Sequence, residues 1–482
     1  MDAIVLVPLL APALLGAAAV VVPDRRVAAW SGVVDSVVVL AVGLVLLAQR
    51  GPVPDLADGL LRADQLSAFM LTGIGAVGLT ATWGGVDRAA GRATRAERRY
   101  AALVCVFLAA MSLAVLTDNL GVLWVAIEAT TVATAFLVGH RGTRRSLEAA
   151  WKYVVLGSVG VAIALLGVVL LYAAGRSAGE ATLSWTVLTS GRLPLDPGLV
   201  RVAVALAVLG FATKAGLAPM HSWLPDAHGQ APAPVSGLMS GVLLAVALYA
   251  ILRVRAIADV VLGPGLMRGL LMTAGLGSLA VAAALILRQR DYKRLLAYSS
   301  IEHMGLLAVG AAIGGPLAMA AVLLHVLGHG LAKATAFVVA GRILAAEGTS
   351  RIQDVRGLLA RRPALAVPFV VAVAALLGFP PFALFFTEVA IVVAGWQAGL
   401  GWAMAVVLVL LLAVFAGLVR ATAAMVLGPA GERTGADASG PSRRGAGGPV
   451  TPLVLALCAT AVVGFSALPV GAAIARAAGV VG

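Results

Sequence analysis

LAMAAVLLHVLGHGLAKATAFVVAGRIL, residues 317–344, is the stretch whose reading decides the fold. It is almost wholly apolar and long enough for a helix to cross a hydrocarbon core of roughly 30 Å at about 1.5 Å per residue. Yet it holds His325, His329 and Lys333 at i, i+4 and i+8, so three titratable groups share one helical face. A single intramembrane histidine is usually a satisfied packing residue. A His/His/Lys stripe is better read as a row of groups that pass protons sideways. A metal site is the weaker reading, because two histidines above a lysine have no cysteine or carboxylate ligand nearby in this segment.

The rest of the chain has the same character. Of 482 residues, 61% are apolar and 12% charged, and the mean hydropathy of +1.02 excludes a soluble globular protein. Spans are expected near 2–22, 27–48, 64–83, 99–116, 119–138, 150–173, 199–219, 233–254, 263–287, 295–314, 317–344, 363–397, 399–427 and 451–478. The fold class is therefore an all-α polytopic membrane protein of about 14 transmembrane helices. The first run has no basic segment before it and leads into further spans, so it reads as a retained span. Loops after odd-numbered spans carry 22 Lys and Arg, against 7 on the other face. Both termini are thus expected on the external side of the cell's inner membrane. The net charge of +13 is explained by those loops, which argues against nucleic acid. Cys105 and Cys458 stand alone in separate apolar runs, so haem attachment, an iron–sulfur cluster or a disulfide framework has no support, and no cofactor or metal is expected.

Charge inside the spans carries the functional reading. The chain has 31 Arg but only four Lys: Lys152, Lys214 and Lys333 fall in predicted spans, and Lys293 in a loop. A desolvated lysine can release its proton near neutral pH, whereas a guanidinium stays charged, so a proton relay needs lysine. Glu128, Glu302 and Glu388 are also embedded, each of which alone could be a packing residue. Asp35, near the start of a span, is expected to snorkel. Lys152 reads better as the i+4 partner of Glu148 than as a relay group. Two spans contain breakers: Gly216, Pro219 and Pro225 follow Lys214, and Gly378, Pro380 and Pro381 precede Glu388. Broken backbone at membrane depth is tolerated where protein or a watery cavity surrounds it, which marks a transport path. Glu128 to Lys214 and Glu302 to Glu388 are both separated by 86 residues. An offset of five spans makes the second unit inverted, and inverted repeats with broken helices are a transporter plan. The expected organisation is a three-helix segment over 1–98, a first five-helix repeat over 99–262 and a second over 263–427. A flexible cytoplasmic loop over 428–450 and a last span over 451–482 follow.

Four stretches hold these residues: FATKAGLAPMHSWLPDAHGQAPAP (211–234), LLAYSSIEHMG (295–305), HVLGHGLAKATAF (325–337) and GFPPFALFFTE (378–388). Together they resemble the antiporter-like proton-pumping subunits of respiratory complex I, a family that includes Mrp-type antiporter and group 4 hydrogenase subunits. The resemblance covers about residues 100–427. It implies that Glu128 is the fifth-span glutamate, Lys214 the seventh-span lysine, His325, His329 and Lys333 the central relay, and Glu388 the terminal proton carrier. Glu302 joins them as a possible member. Ala245 stands where complex I members often have lysine, so the half-channels would connect through water or through His221 and His228. IEATT (127–131), EAAWKY (148–153), SIEHMG (300–305) and Gln230 look more like the hydrogenase-4 type large membrane subunit.

The resemblance implies a proton-translocating membrane subunit of an energy-converting oxidoreductase, without redox chemistry of its own. Its partners would be other membrane subunits and a peripheral hydrogenase or dehydrogenase arm, and its cargo protons, or Na⁺ in an antiporter. A complex I or Mrp-type subunit and a non-conducting scaffold are the rival readings.

Overall fold

Helix starts along the chain are set by short polar side chains at the membrane surface. Asp24, Asp64, Thr94, Asn119, Thr143, Asp196 and Asp291 each accept a hydrogen bond from a backbone N–H of the turn they open. The computed structural model describes residues 2–49, 53–57, 59–86, 91–428, 448–465 and 471–480. Its long helices are α1 (Val7–Val21), α2 (Arg25–Ala48), α3 (Gln65–Gly84), α4 (Arg95–Leu116), α5 (Leu120–Val138), α6 (Arg144–Ser177) and α7 (Pro197–Lys214). The second half has α8 (Trp223–Gln230), α9 (Ala233–Leu262), α10 (Gly265–Ile286), α11 (Tyr292–Ile313) and α12 (Gly315–Glu347). It continues with α13 (Pro363–Leu376), α14 (Ala383–Gln397), α15 (Gly401–Val426) and α16 (Thr451–Phe465). Among the described residues, twelve helices are long and apolar enough to cross a bilayer. The chain is a multi-pass helical membrane protein. The twelfth expected span is split in two, as α13/α14; the seventh stops at Lys214, and α8 follows beyond its expected end. A strand pair, Asp55–Leu56 with Leu61–Arg62, closes a short surface hairpin.

Large apolar side chains such as Leu14, Trp151, Val409 and Leu412 are two-thirds or more exposed around the outside, as lipid contact requires. By contrast α9 and α11 are buried on every side along their apolar middles. These two helices, with α12, form the axis along which the ionisable groups lie. Lipid is as apolar as leucine, so association rests on close packing of small residues. A Cβ added at Gly160 of α6 would meet the Thr213 side chain of α7 at 2.4 Å, which brings α6 directly beside Lys214. Gly241 of α9 and Gly330 of α12 meet in the same way, each 2.8–2.9 Å from the other's carbonyl oxygen when a Cβ is added.

Both breaks end by one device. After α7, Gly216 has φ +72°, Gly216 N–H donates to Thr213 O at 3.2 Å and Leu217 N–H to Ala212 O at 3.0 Å. After α13, Gly378 has φ +65°, Gly378 N–H donates to Ala375 O at 3.3 Å and Phe379 N–H to Ala374 O at 3.1 Å. This left-handed glycine closure satisfies the last helical carbonyls, and only glycine takes that φ without cost.

Several expectations are corrected. Asp35 does not snorkel; it lies ten residues into α2 and is fully buried. Lys293 is not a loop residue but begins α11 with 1% exposure, while Lys152, expected within a span, is about half exposed near the start of α6. Arg253 and Arg255 belong to α9 and are buried, because the helix runs eight residues beyond the expected end of its span. The loop expected at 428–450 lies outside the described residues over 429–447, as do Arg50, Arg88, Arg433, Arg443 and Arg444.

Candidate functional site: a buried row of ionisable side chains

Lys214 is the last residue of α7 and is completely buried. Its Nζ donates to Thr131 Oγ1 at 2.9 Å and to Tyr153 Oη at 2.7 Å, and it sits 4.5 Å from the Tyr153 ring centroid. Glu128, one turn before Thr131 on α5, accepts from Thr131 Oγ1 at 3.1 Å and from Ser158 Oγ at 3.1 Å. The Thr131 hydroxyl thus stands between Glu128 and Lys214. Thr131, Tyr153 and Ser158 carry no charge pattern, which is why sequence reasoning passed over them.

From Lys214 an aromatic line runs toward the second half. Tyr153 packs edge-on against Trp223 at 4.9 Å, Trp223 lies 6.2 Å from His228, and His228 lies 5.6 Å from Phe337, one turn beyond Lys333 on α12. His228 is fully buried, and both its ring nitrogens are without a hydrogen-bond partner among the described residues. Ala245 follows a π-helical turn, Met239–Leu243, in α9. Ser240 in that turn shares a 2.7 Å hydrogen bond with Ser300 of α11. His221 is half-buried in the α7/α8 break, two residues before Trp223.

The second half holds a denser group. Lys333 Nζ donates to Leu296 O at 2.8 Å and to Ser299 Oγ. His329, one turn away, packs at a tilt of 57° against His303 of α11, with ring centroids 4.8 Å apart. His303 Nδ1 meets His325 Nε2 at 3.1 Å, and His325 Nδ1 meets Thr387 Oγ1 of α14 at 2.9 Å. Glu388 follows Thr387, and its carboxylate rests against the break at Gly378, where an added Cβ would come within 2.5 Å of Oε2. Buried Glu302 lies with its Oε2 3.4 Å from His303 Nε2 and within electrostatic reach of Glu388. His303 is the histidine that the stripe reading missed: it sits on a different helix, and its neighbour Glu302 drew the attention. Among the described residues no group of three His, Cys, Asp or Glu side chains is placed to hold a metal.

Three other charged groups are fixed by partners of their own. Lys152 bonds Glu148 at 2.7 Å and Asp226 at 3.3 Å, and Asp226 bonds Arg294 at 3.1 Å, around a cavity of about 190 Å³ at the Arg-rich face. Lys293 donates to Gly229 O at 3.0 Å and Ala231 O at 2.8 Å, the carbonyls at the C-terminal end of α8, where a cation complements the helix dipole. Arg253 bonds Asp64 at 2.8 Å and lies 3.7 Å from the Trp185 ring centroid. Burial alone would raise the Asp64 carboxyl, but the Arg253 charge and the hydrogen bonds from Arg253 and Ser67 outweigh it and hold the group below the ordinary carboxylate range. That pair is a fixed clamp, not a titrating step.

Sequence comparison matches residues 117–415 to the family described as NADH:quinone oxidoreductase/Mrp antiporter, TM. A hydrogenase-4 component F homolog of Methylacidiphilum infernorum is 43% identical over 296 residues, 60% of this chain and 62% of that protein. NADH-quinone oxidoreductase subunit N of Desulforudis audaxviator is 35% identical over 327 residues, 66% of this chain and 63% of that protein. The chain thus matches less than two thirds of the length of these relatives. Among solved structures, a chain of the membrane-bound sulfane sulfur reductase superposes with a TM-score of 0.85 at 24% identity, covering 99% of this chain and 97% of that one. A chain of respiratory complex I from Thermus thermophilus superposes with a TM-score of 0.76 at 26% identity, covering 97% and 99%.

Proposed function

The chain belongs to the NADH:quinone oxidoreductase/Mrp antiporter membrane family, and from that premise we propose that it is the proton-translocating membrane subunit of a hydrogenase-4-like energy-converting oxidoreductase. The observation that carries the reading is the unbroken run His303–His325–Thr387 at 3.1 and 2.9 Å, ending beside Glu388. Each neutral imidazole has one donor and one acceptor nitrogen, so a proton delivered at one end is released at the other as the tautomers switch. Lys333 and His329 feed that run from one side, and Glu388 releases from the other. In the first half, Lys214 holds a proton against the Thr131 and Tyr153 hydroxyls, with Glu128 one hydroxyl away as its counter-charge. Withdrawal of Glu128 from Thr131 lowers the stability of the ammonium and drives its proton past His228 toward Lys333. Asp226 and Lys152 line the entrance on the Arg-rich, cytoplasmic face, and both termini are external. The matching closures at Gly216 and Gly378 support two inverted repeats over 99–262 and 263–427.

A charge crossing the membrane field exchanges about 2.3 kcal/mol per 100 mV. Redox chemistry in a peripheral arm supplies it through neighbouring membrane subunits. The test is redox-driven acidification or alkalinisation of vesicles bearing the whole complex. Lys214→Ala and Glu388→Gln are expected to remove proton movement, and the reading falls if both variants pump normally, which would leave a scaffold. Proton flux from the full chain alone that requires Na⁺ would instead assign a cation/proton antiporter.

A further inference from the structure

Outside the relay, one carboxyl lies at mid-membrane depth with no counter-charge. Asp35 sits about 15 Å along α2 from Arg25. It is fully buried, and neither of its carboxylate oxygens has a hydrogen-bond partner of ordinary geometry among the described residues. The group that faces it is the Cys105 thiol of α4, which also faces Ser31 one turn back on α2. The helices packed on α2 are α1, α3 and α4. Neither α1 nor α3 contains an ionisable residue, and those of α4 other than Cys105 lie in its first two turns, at the surface. An ionised carboxylate without a cation or donor is among the costliest groups to bury, so this site holds the neutral acid.

A route reaches toward it. A cavity of about 340 Å³ opens between α2, α3 and α4 at the Arg-rich face, with Arg25, Glu97 and His140 at its mouth and Gly32, Thr82 and Val104 at its inner end. Gly32 is one turn from Asp35, and Val104 precedes Cys105. The inner end is closed by contact: a Cβ at Gly32 would meet Val104 Cγ1 at 3.2 Å and Thr82 Cγ2 at 3.3 Å.

We propose that Asp35 is a second proton-binding site, separate from the Lys214–Glu388 row, which exchanges its proton with the Arg-rich face through this cavity and accepts lipophilic carbodiimides as covalent ligands. A carbodiimide takes the acid proton and the carboxyl oxygen adds to its central carbon, so the whole reagent is gained and nothing leaves.

The experiment uses the full chain in lipid vesicles. Dicyclohexylcarbodiimide is expected to add its full mass to the peptide containing Asp35 in the unaltered chain. Infrared difference spectra between the unaltered chain and Asp35→Asn are expected to show the carbonyl stretch of a protonated acid that shifts on transfer to D₂O. Ala28→Phe, which fills the cavity without touching Asp35, is expected to slow both the shift and the labelling by about tenfold. The labelling and Ala28→Phe arms stand if Asp35→Asn does not fold. Absence of label together with a carboxylate band would overturn the proposal, because Asp35 would then be ionised. So would a protonated band that never exchanges, or one that exchanges equally fast in Ala28→Phe, since the acid would then be sealed packing or reached by another way.

Discussion

Around Lys214 the molecule keeps one cation among hydroxyls, whereas around His303 it gathers three imidazoles, a lysine and two carboxyls. Each region borders a helix break closed by the same glycine turn, Lys214 just before Gly216 and Glu388 against Gly378, so the closure itself does not set them apart. A hydroxyl can hold an ammonium but gains little by taking its proton, so under the proposed function the Lys214 region is a store whose content depends on Glu128. An imidazole has one nitrogen that donates and one that accepts, so under the same proposal the second region is a conduit. On that reading the store has one essential member, and the conduit has several that share the load.

That contrast orders the expected effects. Lys214→Ala should be the most damaging, lowering redox-driven proton movement in vesicles by about 10²-fold or more, since a positioned proton carrier contributes on that scale. A smaller loss than that of any single histidine variant would reverse the assignment of store and conduit. His303→Leu should cost about tenfold, because His325 loses its 3.1 Å partner while His329 and Thr387 remain. If His303→Leu matches Lys214→Ala, the second half is a single file with no sharing. Thr131→Val keeps Lys214 but removes its bridge to Glu128. It should slow turnover only several-fold and lower thermal stability by about 1–3 kcal/mol for the buried groups left unpaired. Lys152→Ala should change flux less than about twofold and stability by about 0–1 kcal/mol, as exposed ion pairs do. A large loss there would bring the entrance cavity into the store.

Much of this was readable before the fold. The 3.6-residue period that aligns His325, His329 and Lys333 is local, and so are the breakers at Gly216 and Gly378, so the stripe and both interruptions were visible. His303 was not, although it lies next to Glu302, because nothing along α11 tells which of its faces meets α12. Ala245 announced a missing lysine, and the aromatic line through Trp223 and His228 became visible only once α8 lay against α12.

By itself the amino-acid order determined that the chain is a multi-pass helical membrane protein, where glycine interrupts two of its spans and that several spans hold ionisable groups. Those properties depend on hydropathy and on glycine and proline within a few residues of each point. Tertiary structure alone decided which charges are sealed in. It buried Lys293 and Asp35, left Lys152 half in the open, and set Thr131 between Lys214 and Glu128. The reason is distance along the chain: Lys214 finds Thr131 83 residues away and His325 finds Thr387 62 residues away, so their partners are chosen by how helices pack and not by any local pattern.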